Sequence, residues 1–176
     1  MLAQLELVLL ALLDKMIKFA KVLIVTNAKE GWVEYSSYYL LPRVHQLIET
    51  YVPVVSAQTE YADRFKFDPD LWKEMAFKQF WNVEGLLERD CVLNMMVIGD
   101  SDYELDAGKS FKKDAALKGY TGKKRLVLKL IKFKESPNPD QLIRQLHVLN
   151  TKFEAFAANQ KSLSVELEDG PGRAGT

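Results

Sequence analysis

The sequence predicts a three-layer α/β domain with a mainly parallel sheet, on three observations. Short apolar runs rich in β-branched residues recur at 21–26 (KVLIVT), 52–57 (VPVVSA), 92–98 (VLNMMVI) and 125–133 (RLVLKLIKF). They largely lack the polar alternation of half-exposed strands, so both faces should be covered. Segments long enough to hold a helix separate them, which is what a crossover between parallel strands requires.

In chain order, residues 2–19 are apolar enough for a helix buried over most of its surface, and they lead into the first strand. Asn27 to Gly31 turns the chain into a helix running through Tyr39. Pro42 opens the next helix, with Val44, Leu47 and Ile48 on one face, and the 52–57 strand follows. Asp68-Pro69 has the order of a cap followed by proline at the first helical position, and predicts a helix to about Trp81. The 92–98 strand leads into a helix over 102–117, which Gly119 and Gly122 end before the 125–133 strand. Ser136-Pro137-Asn138-Pro139 then turns into an amphipathic helix over 139–158. Residues 1–160 form one domain in this reading and 161–176 a flexible tail, with an edge strand over 162–167 as the alternative for its first part.

Composition narrows the function classes. The chain has 176 residues, enough for one domain with a real core. Lys+Arg and Asp+Glu balance at 24 each, so overall charge favours neither nucleic acid nor an anionic membrane. The lone Cys91 rules out an internal disulfide and reads as a small buried residue of a reducing compartment. The apolar stretch over 2–13 contains Gln4 and Glu6, is shorter than a membrane span, and lacks the basic start and small-residue cleavage site of a signal peptide. A cytoplasmic protein is the expectation.

The most informative segment is 92–106. Its apolar strand stops at Gly99 and is followed by Asp100, Asp102 and Glu104. Ligands of open α/β sheets bind beyond the carboxyl ends of the strands, and Mg²⁺ takes carboxylate oxygens while keeping several waters. With Thr26-Asn27 ending the first strand and Lys73 in the first turn of a helix, the order resembles the haloacid dehalogenase-like (HAD) phosphohydrolase superfamily over residues 15–150. Its motifs place a Thr or Ser at a strand end, a Lys near a helix start, and Gly-Asp followed by a second acid. TNAKEGWVEYS and WKEMAF look like a little-characterised branch of it.

The resemblance implies a Rossmannoid HAD-like fold and Mg²⁺-dependent hydrolysis of a phosphomonoester. Thr26 and Asn27 would bind phosphoryl oxygens and Lys73 would neutralise them. Asp100, with Asp102 or Glu104, would hold Mg²⁺. The ligand would be a small phosphorylated molecule or a phosphoprotein. The family's attacking acid, the first Asp of an Asp-x-Asp-x-Thr motif on a central strand, has no counterpart before Thr26, since Asp14 lies within the helical run. The expectation is therefore an inactive or incomplete enzyme, or a non-catalytic interaction module. Loss of a central strand would strand backbone hydrogen-bonding groups. The chain should then close the gap with its remaining strands or recruit 162–167 to fill it.

Other patterns read as structure. Asp68-Pro69-Asp70 follows no apolar strand and reads as a helix cap. Asp100-Ser101-Asp102 as the nucleophile motif would need Ser136, Lys152 and Glu166 or Glu168 as its companions, and Glu104 stands where a small residue is expected. Gly108-Lys109-Ser110 lacks the preceding glycine of a phosphate loop, having Tyr103 there. His45 and His147 have no partner at metal-ligand spacing. Tyr35, Tyr38 and Tyr39 read as helix packing, and the lysines at 109, 112, 113, 118, 123 and 124 as a solvated face. A receiver-like domain would need an acidic pair where Thr26-Asn27 ends the first strand.

Overall fold

The computed structural model describes residues 1–66, 68–83 and 91–167. Over these the order is α1 (Leu2–Phe19), β1 (Ile24–Thr26), α2 (Trp32–Leu40), α3 (Pro42–Tyr51), β2 (Val54–Ser56), α4 (Ala57–Tyr61), α5 (Pro69–Val83), β3 (Val92–Gly99), α6 (Asp102–Leu117), β4 (Arg125–Lys132), α7 (Pro139–Ala158) and β5 (Leu163–Glu166). This is the expected α/β alternation. Local chemistry sets several boundaries. Proline begins α3, α5 and α7, where its missing N–H costs nothing. Asn138 and Gln141 cap α7 reciprocally, at 2.9 and 3.0 Å.

The sheet is not the single one expected. β1 pairs in parallel with β2, and separately β3-β4-β5 forms a three-stranded parallel sheet. The first two strands are also shorter than their apolar runs, with Ala57 already opening α4, a helix the sequence pattern did not announce.

Side chains alternate across the pleat, so each strand serves two cores. Met96 and Ile98 of β3 and Ile131 of β4 face α1 and α7, in a cluster with Val8, Leu12, Met16, Leu146 and Leu149. The intervening Met95, Val97, Leu128 and Leu130 face α6 and Phe77 of α5. β1 sits between α1 and α3 through Ile24 and meets α5 through Val25, which packs with Trp72 and Ala76.

Residues 162–167 do not fill the centre. β5 pairs with the far side of β4, from Lys129↔Leu163 to Lys132↔Glu166. Ser162 Oγ accepts from Leu128 N at 3.1 Å, and Gln145 Nε2 donates to the Leu167 carbonyl at 2.8 Å. The edge-strand alternative is thus the one realised over 163–166, and the remainder of the expected tail, 168–176, lies outside the described residues. Between β1 and β3 no backbone ladder forms among the described residues.

Two further expectations change, and a third holds in part. Cys91 is exposed, not buried. The Tyr35, Tyr38 and Tyr39 rings stand largely exposed and pack on one another, with centroids 4.7 and 5.0 Å apart, and Tyr38 also meets His45 of α3 edge-on at 5.4 Å, so the cluster does join two helices. α1 buries one stripe while Leu2 and Leu7 remain exposed. No described helix is long and apolar enough to cross a membrane.

Candidate functional site

The ends of β1 and β3 are linked through α5. Val25 of β1 packs with Trp72, the next residue, Lys73, reaches Glu104 just past the end of β3, and Val25 and Glu104 line one cavity. Thr26 and Gly99-Asp100 therefore end their strands at one rim, where ligands of open α/β sheets bind.

Gly99 shapes this rim. A Cβ on it would lie 2.6 Å from Cγ of Glu104 and 2.8 Å from its Cβ and Cδ, so only glycine lets Glu104 fold back over the strand end. Folded back, Glu104 accepts from the Ser101 backbone N–H at 3.1 Å and from the Ser101 hydroxyl. Its other oxygen forms an ion pair with Lys73, the two side chains being 9% and 12% exposed. Burial pushes the Lys73 ammonium below the ordinary lysine range, and the Asp100 carboxylate partly pulls it back. Lys73, Asp100 and Glu104, from two helices and a strand end, thus form one electrostatic cluster.

Asp102 does not join it. It points the other way, to Lys132 Nζ at 2.7 Å, and the hydrogen bond to Lys132 holds its carboxyl below the usual range while Lys132 is raised by the same bond. On a helix, residues two apart lie on different faces, so Asp102 and Glu104 cannot both serve the same side. Among the described residues no three acidic, His or Cys groups converge as a metal cage. Glu104 is already used by Lys73 and Ser101, which leaves the exposed Asp100 as the carboxylate able to take Mg²⁺ without breaking an ion pair. One carboxylate plus water and a phosphate ligand suits Mg²⁺.

Thr26 Oγ1 accepts from Ala28 N at 3.0 Å, which leaves its own proton to donate. Asn27 Oδ1 is buried with no partner. A half-turn of the amide would offer an N–H at the same spot. The sequence pattern missed the residues that hold this loop. Ser56 Oγ donates to the Ala28 carbonyl at 2.7 Å and accepts from Thr59 N at 3.0 Å, while Thr59 Oγ1 accepts from Glu30 N at 3.0 Å. Ser56 lies beside Thr26 in the parallel register, and the S-x-x-T spacing is the only local signal for it.

The remaining patterns have structural duties. Gly108 lets α6 approach β3, since a Cβ there would meet Val97 Cγ2 at 3.0 Å. His45 Nδ1 bonds Ser37 Oγ at 3.0 Å. Lys109 pairs with Asp106 and Lys112 reaches Ser162, both at 2.7 Å. Glu168, one companion of the alternative nucleophile motif, lies outside the described residues.

A second buried lysine was not anticipated. Lys129 on β4 is fully buried, and its Nζ donates to Asn94 Oδ1 and to the Ala157 carbonyl at 3.4 Å. That carbonyl belongs to the last turn of α7, the negative end of the helix dipole, which accounts for a buried ammonium without a carboxylate partner. Burial pushes Lys129 below the ordinary lysine range.

No family model matches this chain, and no curated protein or solved structure matches it either.

Proposed function

We propose that this chain is a HAD-like phosphohydrolase module that carries the phosphate- and Mg²⁺-facing half of the site but not the attacking acid, so that alone it binds a phosphorylated ligand without hydrolysing it. One observation supports the reading most directly: Lys73, Asp100 and Glu104 gather at the end of β3, on the rim where Thr26 ends β1, while the space between the two strands is open. A nucleophile would have to stand at that opening. Phosphoryl transfer needs charge neutralisation and an oriented attacking group, and these residues supply only the first.

Charge decides the order of binding. One ammonium against two carboxylates leaves the cluster net negative, so a phosphate dianion is repelled until a cation joins it. Asp100 would hold Mg²⁺, the cation supplying positive charge at the phosphoryl oxygens, and the Thr26 hydroxyl would donate to one of those oxygens. The expected ligand is a small phosphorylated molecule or a phosphorylated protein segment.

Calorimetry with inorganic phosphate tests this. Binding should require Mg²⁺ and vanish in Asp100→Asn, and an aryl phosphate should not turn over above background. Robust hydrolysis by the 176-residue chain, lost in Asp100→Asn, would refute the missing-nucleophile argument. Binding of neither ion would favour the second reading, a non-catalytic interaction module, for which the open space in the sheet is the specific support.

A further inference from the structure

We infer that the opening between β1 and β3 is a docking slot for one extended apolar strand of a second polypeptide, which pairs with both edges and joins the two sheets into one of six strands.

The backbone states what the slot accepts. In a parallel ladder a residue's N–H and C=O point to the same neighbour, and successive residues alternate between neighbours. The Gly99 carbonyl accepts from Phe133 N at 2.7 Å, on the β4 side. Val97 and Met95 then also serve β4, while the N–H and C=O groups of Asn94, Met96 and Ile98 point into the slot. On the opposite wall Ile24 N donates to the Pro53 carbonyl at 3.0 Å, on the β2 side, which turns Leu23 and Val25 toward the slot. Two facing rows of backbone donors and acceptors are matched by only one common chemistry, another peptide backbone.

The cavities describe the occupant's side chains. Three of them, of about 340, 450 and 410 Å³, meet at this opening, and Leu23 and Ile98 line all three. The first runs along Leu93 to Ile98 without a break, which side chains pointing to one face of a strand could not do; it is the strand's edge that lines it. On the α5–α6 face it is walled by Phe77, Phe80 and Phe111. On the other face the second is walled by Met16, Phe19 and Phe153. Both faces being apolar, the occupant is a continuous apolar run of about five to seven residues without internal proline.

A second copy of this chain is a poor donor. Each described strand already has a partner, and β5, the terminal one, is fixed by Ser162 and Gln145. The sequence over 84–90, EGLLERD, and that over 168–176, EDGPGRAGT, hold no apolar run of the needed length. The inference stands independently of any phosphohydrolase activity.

Hydrogen exchange with a synthetic peptide tests it, the probe being a valine, isoleucine and phenylalanine hexapeptide with a C-terminal lysine tail. One equivalent should slow exchange at least tenfold at Leu23, Val25, Asn94, Met96 and Ile98, with little change at Met95 and Val97, whose amides β4 already holds. Methylating alternate peptide nitrogens should weaken binding at least tenfold without touching the protein. Four results would overturn the proposal. They are equal binding of the methylated peptide, protection without this alternation, no binding, or slot amides already slow in the free chain, whether as a monomer or as a dimer of copies.

Discussion

Replacing Lys73 by methionine isolates the ion pair on which the rim depends. Lys73 and Glu104 are 9% and 12% exposed, so neither charge is screened well when its partner is lost. Removing one member of a buried pair costs about 3–5 kcal/mol, because the other charge stays behind uncompensated. Here the Glu104 carboxylate retains its two bonds from Ser101, which places Lys73→Met at the lower end, about 3 kcal/mol. For a chain of this size that is roughly 6–12 °C in Tm, and the fold should survive since domains hold about 5–15 kcal/mol. Glu104→Gln should cost less, about 2 kcal/mol, because Asp100 still faces the ammonium. The double variant Lys73→Met/Glu104→Gln should cost about 3 kcal/mol, no more than Lys73→Met alone and short of the additive value of about 5, giving a coupling of about 2 kcal/mol in the cycle. Urea unfolding followed by circular dichroism measures all four proteins. A Lys73→Met cost below about 1 kcal/mol, or strictly additive effects, would refute the account of the pair as buried and coupled.

Three other outcomes follow from particular contacts. Gly99→Ala should destabilise by about 1–3 kcal/mol, because its Cβ would stand 2.6 Å from Glu104 Cγ and force that side chain off Lys73; an unchanged urea midpoint would contradict it. The Asp102 carboxyl, held low by Lys132, stabilises the fold above the ordinary aspartate value of about 3.9 and loses that contribution as pH falls through its depressed value. Lys132, raised by the same bond, contributes below about 10.4 and loses it as pH rises through its raised value. Carbon NMR titration should accordingly find the Asp102 pKa higher in Lys132→Met than in the wild type. Lys129 has the opposite sign from Lys132: burial lowers it, so between its lowered value and about 10.4 the unfolded chain binds the extra proton and stability gains with pH. The stability difference between wild type and Lys129→Met, measured at pH 7 and pH 10, should therefore move in the wild type's favour at the higher pH.

Local features were legible in the residues alone. β-branched apolar runs separated by helical segments specified a parallel α/β chain, and proline at positions 42, 69 and 139 with Asn138 and Gln141 set helix starts through backbone chemistry a few residues long. The abrupt change at Gly99-Asp100 likewise marks a strand's carboxyl end. Which acid serves the rim depends on long-range packing. Asp102 and Glu104 are equally acidic and two positions apart, and the choice between them rests on where Lys73 and Lys132 arrive from α5 and β4, contacts 31 and 30 positions away in sequence. Lys129 illustrates the same limit: a lysine inside an apolar run gives no sign that the end of α7 will meet its ammonium. The split of the sheet was decided at that level as well. Strand pairing depends on which edges the helices bring together, and a strand's own pattern says that both its faces are covered but not whether both its edges are.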